Sequence, residues 1–466
     1  MKVLLISLNH ETRPYPVFPL GLAYLVTRLQ GRHEIRVLDL CCDEDLTRIG
    51  DPGFPPDVIG ISVRNVDNLT YPLSESYVPY LQKVVAVCRE KTDATIVLGG
   101  SGFSLFPEEL LRCLGVTLGV VGEGERAFEH ILTHLHDEAR LRSAPNIVSL
   151  VDGVYRENPV ELLRDYPRFP IPDRSAFQGV KYFSEGGMAN VQTKRGCHFK
   201  CVYCTYPAID GRTLRFREPR QIVDELEHLR ETYDVRYVYF VDDIFNVPVE
   251  HASRLCDEML RRGLDMQWTG FVNPAHADER LLEKMKAAGC EGIELGTDTG
   301  SPAMLRRMRK GFDAASIRKV ARACHALDLP FCHYLIFGGP GETEATFQET
   351  LDLMDETDPT AVIAMLGVRI YPKTEMERIA REEGILDPGV SLLFPRFYIS
   401  PRLDPEAALS SLERIGRERR NWVIPGLNLN VQHEVLRQMR LRYGHRGPLW
   451  TLLKHFGGRR RQDIHV

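Results

Sequence analysis

Short apolar runs alternate with amphipathic stretches over the first 140 residues. Val3–Leu8, Ile35–Leu40, Val58–Val63, Thr95–Leu98 and Leu118–Val121 each read as a buried strand. Leu20–Gln30 places Leu22, Leu25, Val26 and Leu29 at helical spacing, and further helical stretches fall around 75–91 and 125–136. Continuous apolar strands separated by helices predict a parallel sheet covered on both faces. Ligands of such sheets bind beyond the carboxyl ends of the strands. Here those ends carry a long Pro-rich loop from Asn9 to Gly21, then Ser62-Val-Arg64-Asn65, Gly99-Gly100-Ser101-Gly102 and Gly122-Glu123-Gly124-Glu125. Small residues and side-chain donors gathered on one sheet edge suit a large planar or nucleotide-like ligand.

The pattern changes at about residue 141. Residues 141–189 read as a linker, with a hairpin over Val148–Arg156 turning at Asp152-Gly153 and breaks at Pro167, Pro170 and Pro172. From 190 to 390 the alternation resumes. Strands are predicted at Ala189–Thr193, Arg236–Val241, Met266–Val272, Gly292–Gly296, Phe331–Phe337 and Ala361–Ile370, with helices at 219–232, 249–262, 278–288, 314–327 and 343–355. Six such units suggest a partial (βα)6 barrel, whose chemistry belongs at the carboxyl ends of its strands. Residues 391–466 read as a helical appendage, with helices at 405–421 and 430–442 and a tail rich in Arg and Lys. Tyr398, Trp422 and Asn428 are its candidate pocket residues. The fold class is therefore α/β: a Rossmann-like parallel-sheet domain, a partial barrel of the TIM type, and a helical C-terminal region.

Composition adds exclusions. Hydrophobic content of 43% and charged content of 26% are those of a globular chain. No apolar run is long enough to predict a membrane span. A net charge of -5 gives no electrostatic case for nucleic acid as a partner. Eleven cysteines, scattered except for one central cluster, are the usage of a reducing, cytoplasmic compartment.

Three of those cysteines are not scattered. Cys197, Cys201 and Cys204 stand in a C-x3-C-x2-C spacing. That is one ligand short of a closed zinc site or an ordinary four-thiolate cluster. Three thiolates on one loop suit a [4Fe–4S] cube whose fourth iron is left for a small molecule. The segment, with the aromatic Tyr203 before its last cysteine, resembles the cluster loop of radical S-adenosylmethionine (SAM) enzymes. The preceding region, with Pro19–Tyr24, the Gly-Gly turn and the Gly-Glu-Gly-Glu turn, resembles the cobalamin-binding domain of the cobalamin-dependent class of that family.

The resemblance implies a [4Fe–4S] cluster on Cys197, Cys201 and Cys204, SAM, and cobalamin as cofactors. It implies cofactor contacts from Tyr203, Asp242, Asp243 and Asp298 in the barrel. In the first domain it implies contacts from Ser62, Arg64, Asn65, Gly99, Gly100, Ser101, Glu123 and Gly124. Asp243 also suits a helix N-cap. Asp298 replaces the family's usual Glu. The Gly-Pro-Gly-Glu-Thr turn ending at Thr343 suits both an adenine contact and a helix cap. The Asp-x-His-x-x-Gly motif of a histidine lower ligand is absent, and His10 lies outside any such motif. Arg64 is similar to the arginine beneath cobalamin in the tryptophan 2-C-methyltransferase branch, although pairing with Asp67 is open to it as well. The implied activity is C-methylation of a specialised-metabolite or lipid-like small molecule, with methylcobalamin as methyl carrier and an external electron donor such as flavodoxin or ferredoxin. Cyclisation, oxidation or rearrangement without methyl transfer is the alternative.

Overall fold

The protein is described here by a computed structural model, which covers residues 1–455 apart from 10, 13, 14, 44, 178–181, 185–186, 431–437, 439 and 443. The first domain is a seven-stranded sheet of β1 (Lys2–Ser7), β2 (Glu34–Asp39), β3 (Val58–Ser62), β4 (Thr95–Gly99), β5 (Leu118–Val120), β6 (Ile147–Val151) and β7 (Val154–Glu157). Its order is β2-β1-β3-β4-β5-β6-β7. The first five strands are parallel, as the continuous apolar runs require, and β6 and β7 are antiparallel additions. The chain leaves β1 in one direction and β3 in the other, so a topological switch point opens between them.

The hairpin at Asp152-Gly153 forms as expected, both turn residues having positive φ (52° and 77°). It does not stand in a linker, however. It extends the first sheet, so that domain runs past residue 140. Described residues in the remainder of that linker stretch are also packed: Leu163, Tyr166, Phe169, Phe177 and Tyr182 are buried against Phe18, Tyr24 and their neighbours. Aromatic side chains between the prolines drive this, because each removes a large apolar area from water.

The second domain is a parallel sheet of β8 (Ala189–Val191), β11 (Tyr237–Phe240), β12 (Gln267–Val272), β13 (Cys290–Asp298), β14 (Phe331–Phe337) and β15 (Ala361–Leu366) in sequential order. Between β8 and β11 a two-stranded hairpin, β9 (Lys194–Arg195) with β10 (Arg215–Phe216), closes the segment that holds the three cysteines. A second small pair, β16 (Val368–Arg369) with β17 (Phe397–Tyr398), follows β15. The C-terminal region contributes a further parallel strand, β18 (Trp422–Val423), alongside β15. The helix predicted over 405–421 therefore stops at Glu418. The helix expected at 430–442 falls largely outside the described residues.

Helix starts follow local chemistry. Asp278 accepts from the Leu281 N–H at 2.8 Å, and Thr343 forms a capping box with Thr346. Among the described residues no helix is long and apolar enough to cross a membrane.

Candidate cofactor sites

The cysteine segment is shaped by its own backbone. Gly196 has φ +95°, and a Cβ there would fall 2.4 Å from the Thr213 carbonyl oxygen. Only glycine fits that turn. The Cys197 N–H then donates to the Gly211 carbonyl at 3.0 Å and the Cys204 N–H to the Cys201 carbonyl at 3.2 Å. All three thiols are free. Burial pushes Cys197 up to about 11 and Cys204 up to about 12, and it raises Cys201 as well. Cys204 also feels both other thiols, so the three share one environment.

Among the described residues no three His, Cys, Asp or Glu side chains converge on a point where a single metal ion would be held. A four-iron cube asks for something else. Each thiolate must reach a different iron, and three cysteines carried by one segment suit it. The donor set thus fits the cluster, with the thiols losing their protons on binding.

The second site is a cleft of about 390 Å³ at the switch point of the first sheet, partly open to solvent. That lies within the usual range for a small-molecule pocket. Ser62, Arg64, Gly99, Gly100, Ser101, Glu123 and Gly124 line it, as do Asn190, Gln192, Arg195, Tyr206 and Asp210 from the barrel side. Gly100 has φ +95°, and a Cβ there would fall 2.6 Å from the Val63 carbonyl oxygen, so the turn under the cleft is another place only glycine fills. Ser101 Oγ donates to the Arg64 carbonyl at 2.9 Å and holds that backbone.

Arg64 reaches the cleft, and no carboxylate of the described residues pairs with it. Desolvation by the surrounding protein lowers its pKa, partly offset by Tyr206, Cys41 and Tyr182. The alternative partner, Asp67, is taken by Arg369 at 2.9 Å. No histidine is among the described residues lining the cleft, and His10 lies outside the described residues. Asn65 is exposed and does not line it.

Several expected cofactor contacts have other partners. Asp242 is buried at the end of β11 and accepts from the Thr193 N–H at 2.7 Å, the Thr193 hydroxyl, the Lys194 N–H at 3.2 Å and Lys194 Nζ at 3.2 Å. It anchors the start of the cysteine segment, with its oxygens used. Its neighbour Asp243 keeps Oδ2 buried and without a partner. Burial, then Asp210 and Asp242, hold the Asp243 carboxyl well above the usual range, and its charge is felt at Cys197 and Cys204. Of the two acids, Asp243 is the one with capacity to spare near the cluster loop. Asp298, at the end of β13, is paired with Lys310 at 2.6 Å and accepts from the Tyr203 hydroxyl at 2.5 Å. A ribose contact would have to share those partners.

Glu123 joins the two domains. It receives Arg195 Nη1 at 2.8 Å, Arg215 Nη1 at 2.5 Å and the Leu163 N–H at 2.6 Å. Glu342 of the Gly-Pro-Gly-Glu-Thr turn accepts from the Gly338 and Gly339 N–H groups, so that turn is held by its own acid.

Tyr398 and Trp422 are buried in core and strand, and Asn428 takes positive φ in a turn; none lines the cleft.

The sequence reading passed over Glu294. It is buried on β13, where it accepts from Tyr239 Oη at 2.6 Å and Trp450 Nε1 at 2.8 Å. Trp450 comes from the C-terminal 3-10 turn Leu449–His455, 156 residues away. A buried acid in strand alternation was the available signal; its partners, being remote in sequence, were not.

Both domains have counterparts among known proteins. Residues 191–354 match the Radical SAM superfamily and residues 6–132 match the B12 binding domain. An uncharacterised methyltransferase of Pyrococcus horikoshii is 26% identical over 73% of this chain and 73% of its own. Tryptophan 2-C-methyltransferase of Streptomyces laurentii is 26% identical over 79% of this chain and 73% of its own. The radical SAM methyltransferase TsrM of Kitasatospora setae, solved with cobalamin and a [4Fe–4S] cluster, superposes with a TM-score of 0.87, covers 97% of both chains and is 24% identical, a likeness of fold.

Proposed function

This chain belongs to the radical SAM enzymes that carry a B12-binding domain, and on that premise we propose that it transfers a methyl group to carbon of a small molecule. One observation carries the reading: the cleft of the first domain and the cysteine segment share a wall. Tyr206, two residues beyond Cys204, lines the same cleft as Arg64. Two cofactors held there would meet across Tyr206 and Asp210.

When bound, the cluster supplies one electron at a time, SAM the methyl group and the corrinoid a methyl carrier. The chain's part is to bind, orient and exclude water. Cys197, Cys201 and Cys204 would hold the cluster. Asp243 is the free acid suited to a cationic group of SAM. The Gly100 turn and Ser62 would seat the corrinoid. Arg64 brings a cation that cannot coordinate metal, since a guanidinium has donors only. A fixed positive charge without a carboxylate partner supports an electron-rich cofactor beside it, which favours polar methyl transfer. An external one-electron donor of the flavodoxin or ferredoxin kind, in a reducing cytoplasm, completes the scheme.

The test is anaerobic reconstitution of the full chain with iron, sulfide and hydroxocobalamin, followed by SAM and reductant. The expected result is stoichiometric corrinoid and iron, with S-adenosylhomocysteine formed when substrate is present. Any one of Cys197→Ala, Cys201→Ala or Cys204→Ala should abolish SAM cleavage and keep corrinoid. Absence of corrinoid from the loaded wild-type protein sinks the proposal. 5′-Deoxyadenosine without S-adenosylhomocysteine would point to non-methylating chemistry instead.

A further inference from the structure

The strands of the second domain present two unlike faces. Register sets Tyr239 beside Thr269, Phe271 beside Glu294, Glu294 beside Cys332 and Ile336 beside Met365, so these side chains share the inward face. On the outward face Val238, Phe240, Leu295, Leu335 and Val362 are wholly buried under the helices. On the inward face Tyr239, Phe271, Gly296, Tyr334, Ile336 and Met365 each keep partial exposure. A filled barrel packs such inward side chains into solid layers. Here a Cβ added at Gly296 would meet no atom within 4 Å. The lumen at that level is open space.

Its floor is closed by the C-terminal turn. A Cβ on Gly292 would fall 2.8 Å from the Trp450 indole, and Trp450 Nε1 donates to Glu294. Its other end meets the cysteine segment, where Asp298 accepts from the Tyr203 hydroxyl. Glu294 and Asp298 are four residues apart on β13, about 13 Å at the usual rise of a strand. That depth suits a small molecule lying between the floor and the cysteines.

Charge narrows the choice. Other buried acids are matched by cations: Glu225 by Arg174 and Arg217, Glu123 and Glu125 by Arg195, Asp67 by Arg369. Glu294 is 2% exposed and receives neutral donors, Tyr239 Oη at 2.6 Å and Trp450 Nε1 at 2.8 Å. Among the described residues no cation forms an ion pair with it. Arg440, from the C-terminal region, is turned to the Tyr15 ring at 5.3 Å and to the Gly447 carbonyl. A buried carboxylate without a counter-charge is costly. Around it stand aromatic rings, Tyr239 and the pair Phe271 and Tyr334, whose centres are 5.1 Å apart. Aromatic faces beside a carboxylate attract an ammonium.

We propose that the barrel lumen selects a small amine with an apolar body, its ammonium drawn by Glu294 and by the rings of Tyr239, Phe271 and Tyr334. The ligand brings the cation that the chain withholds from Glu294. Its apolar body extends past Gly296, Ile336 and Met365 towards the cysteine segment. The inference rests on the reading of the chain as a small-molecule methyltransferase. Failure of that reading shows separately, as loaded protein without corrinoid, and leaves amine binding unaffected.

The experiment is isothermal titration calorimetry of the anaerobically reconstituted full chain with two probes of one shape, phenethylamine and 2-phenylethanol. The amine should bind about tenfold tighter or more, the effect of one desolvated cation site. Glu294→Gln should erase most of that ratio by weakening the amine while leaving the alcohol unchanged. Gly296→Leu should stop both probes and keep iron and corrinoid, since that position has room and no positive φ. Equal affinity of the two probes for wild type overturns the proposal, as does no binding of phenethylamine, an unchanged ratio in Glu294→Gln, or wild-type binding in Gly296→Leu. Should Glu294→Gln retain no iron, the wild-type ratio and Gly296→Leu decide.

Discussion

Arg64 and Glu342 show what one solvent-reaching charge at a cleft and one buried charge do here. Arg64 reaches the cleft, and no carboxylate of the described residues forms an ion pair with it. Replacing it with Gln keeps the size and removes the cation. Methyl turnover should fall of order 100–1000-fold, the scale of losing one well-placed electrostatic group, while bound corrinoid per chain stays the same. Turnover assay and corrinoid absorbance together check this. Glu342 is a matter of stability. Burial holds its carboxyl at about 7 against an ordinary 4.5, with the Gly338 and Gly339 N–H groups opposing. Oε1 has no partner, so the charged form is poorly served. The folded chain therefore keeps a proton that the unfolded chain has lost between those two values. The stability this contributes is full at low pH and is lost as pH rises through about 7. Denaturation should show up to about 3 kcal/mol less stability at about pH 8 than at about pH 5 from this group. Glu342→Gln should lack that slope.

At the scale of the element, two glycine turns separate the two cofactor functions. Gly196 sets the cysteine segment, where a Cβ would meet the Thr213 carbonyl oxygen at 2.4 Å. Gly100 sets the cleft, where a Cβ would meet the Val63 carbonyl oxygen at 2.6 Å. Both are backbone collisions at positive φ, so neither is relieved by a side-chain rotation. Gly196→Ala should lose iron and retain corrinoid. Gly100→Ala should lose corrinoid and retain iron. Iron analysis and corrinoid absorbance on the same preparations test the pair, and loss of both cofactors from both variants would contradict the division. The hairpin β6–β7 carries a related lesson. Asp152-Gly153 made the turn legible, but which sheet the hairpin joins depends on the edge that β5 leaves open.

The molecule as a whole is held across its domains by buried charge. Arg195 leaves β9 to bind Glu123 and Glu125, both at 2.8 Å, and lies 4.4 Å from the Tyr166 ring centre. Arg195→Met would take from buried Glu125 its arginine and leave buried Glu123 with Arg215 and the Leu163 N–H alone. It should destabilise the chain by about 3–5 kcal/mol and weaken corrinoid retention, because Arg195 also lines the cleft. Chemical denaturation and corrinoid titration check the two effects. The alternating apolar runs by themselves determined two parallel α/β units. The spacing of Cys197, Cys201 and Cys204 determined a three-thiolate loop, because period and spacing are local properties written along the chain. Tertiary structure alone decided that Leu163, Tyr166, Phe169, Phe177 and Tyr182 pack into the first domain and that the cleft and the cysteine segment share Tyr206. It also decided that Asp242 and Asp298 hold protein groups rather than stand free. Those outcomes depend on partners such as Thr193, Lys310 and Arg195. A carboxylate's role is set by the donors that reach it in space, and no local pattern encodes which donors those are.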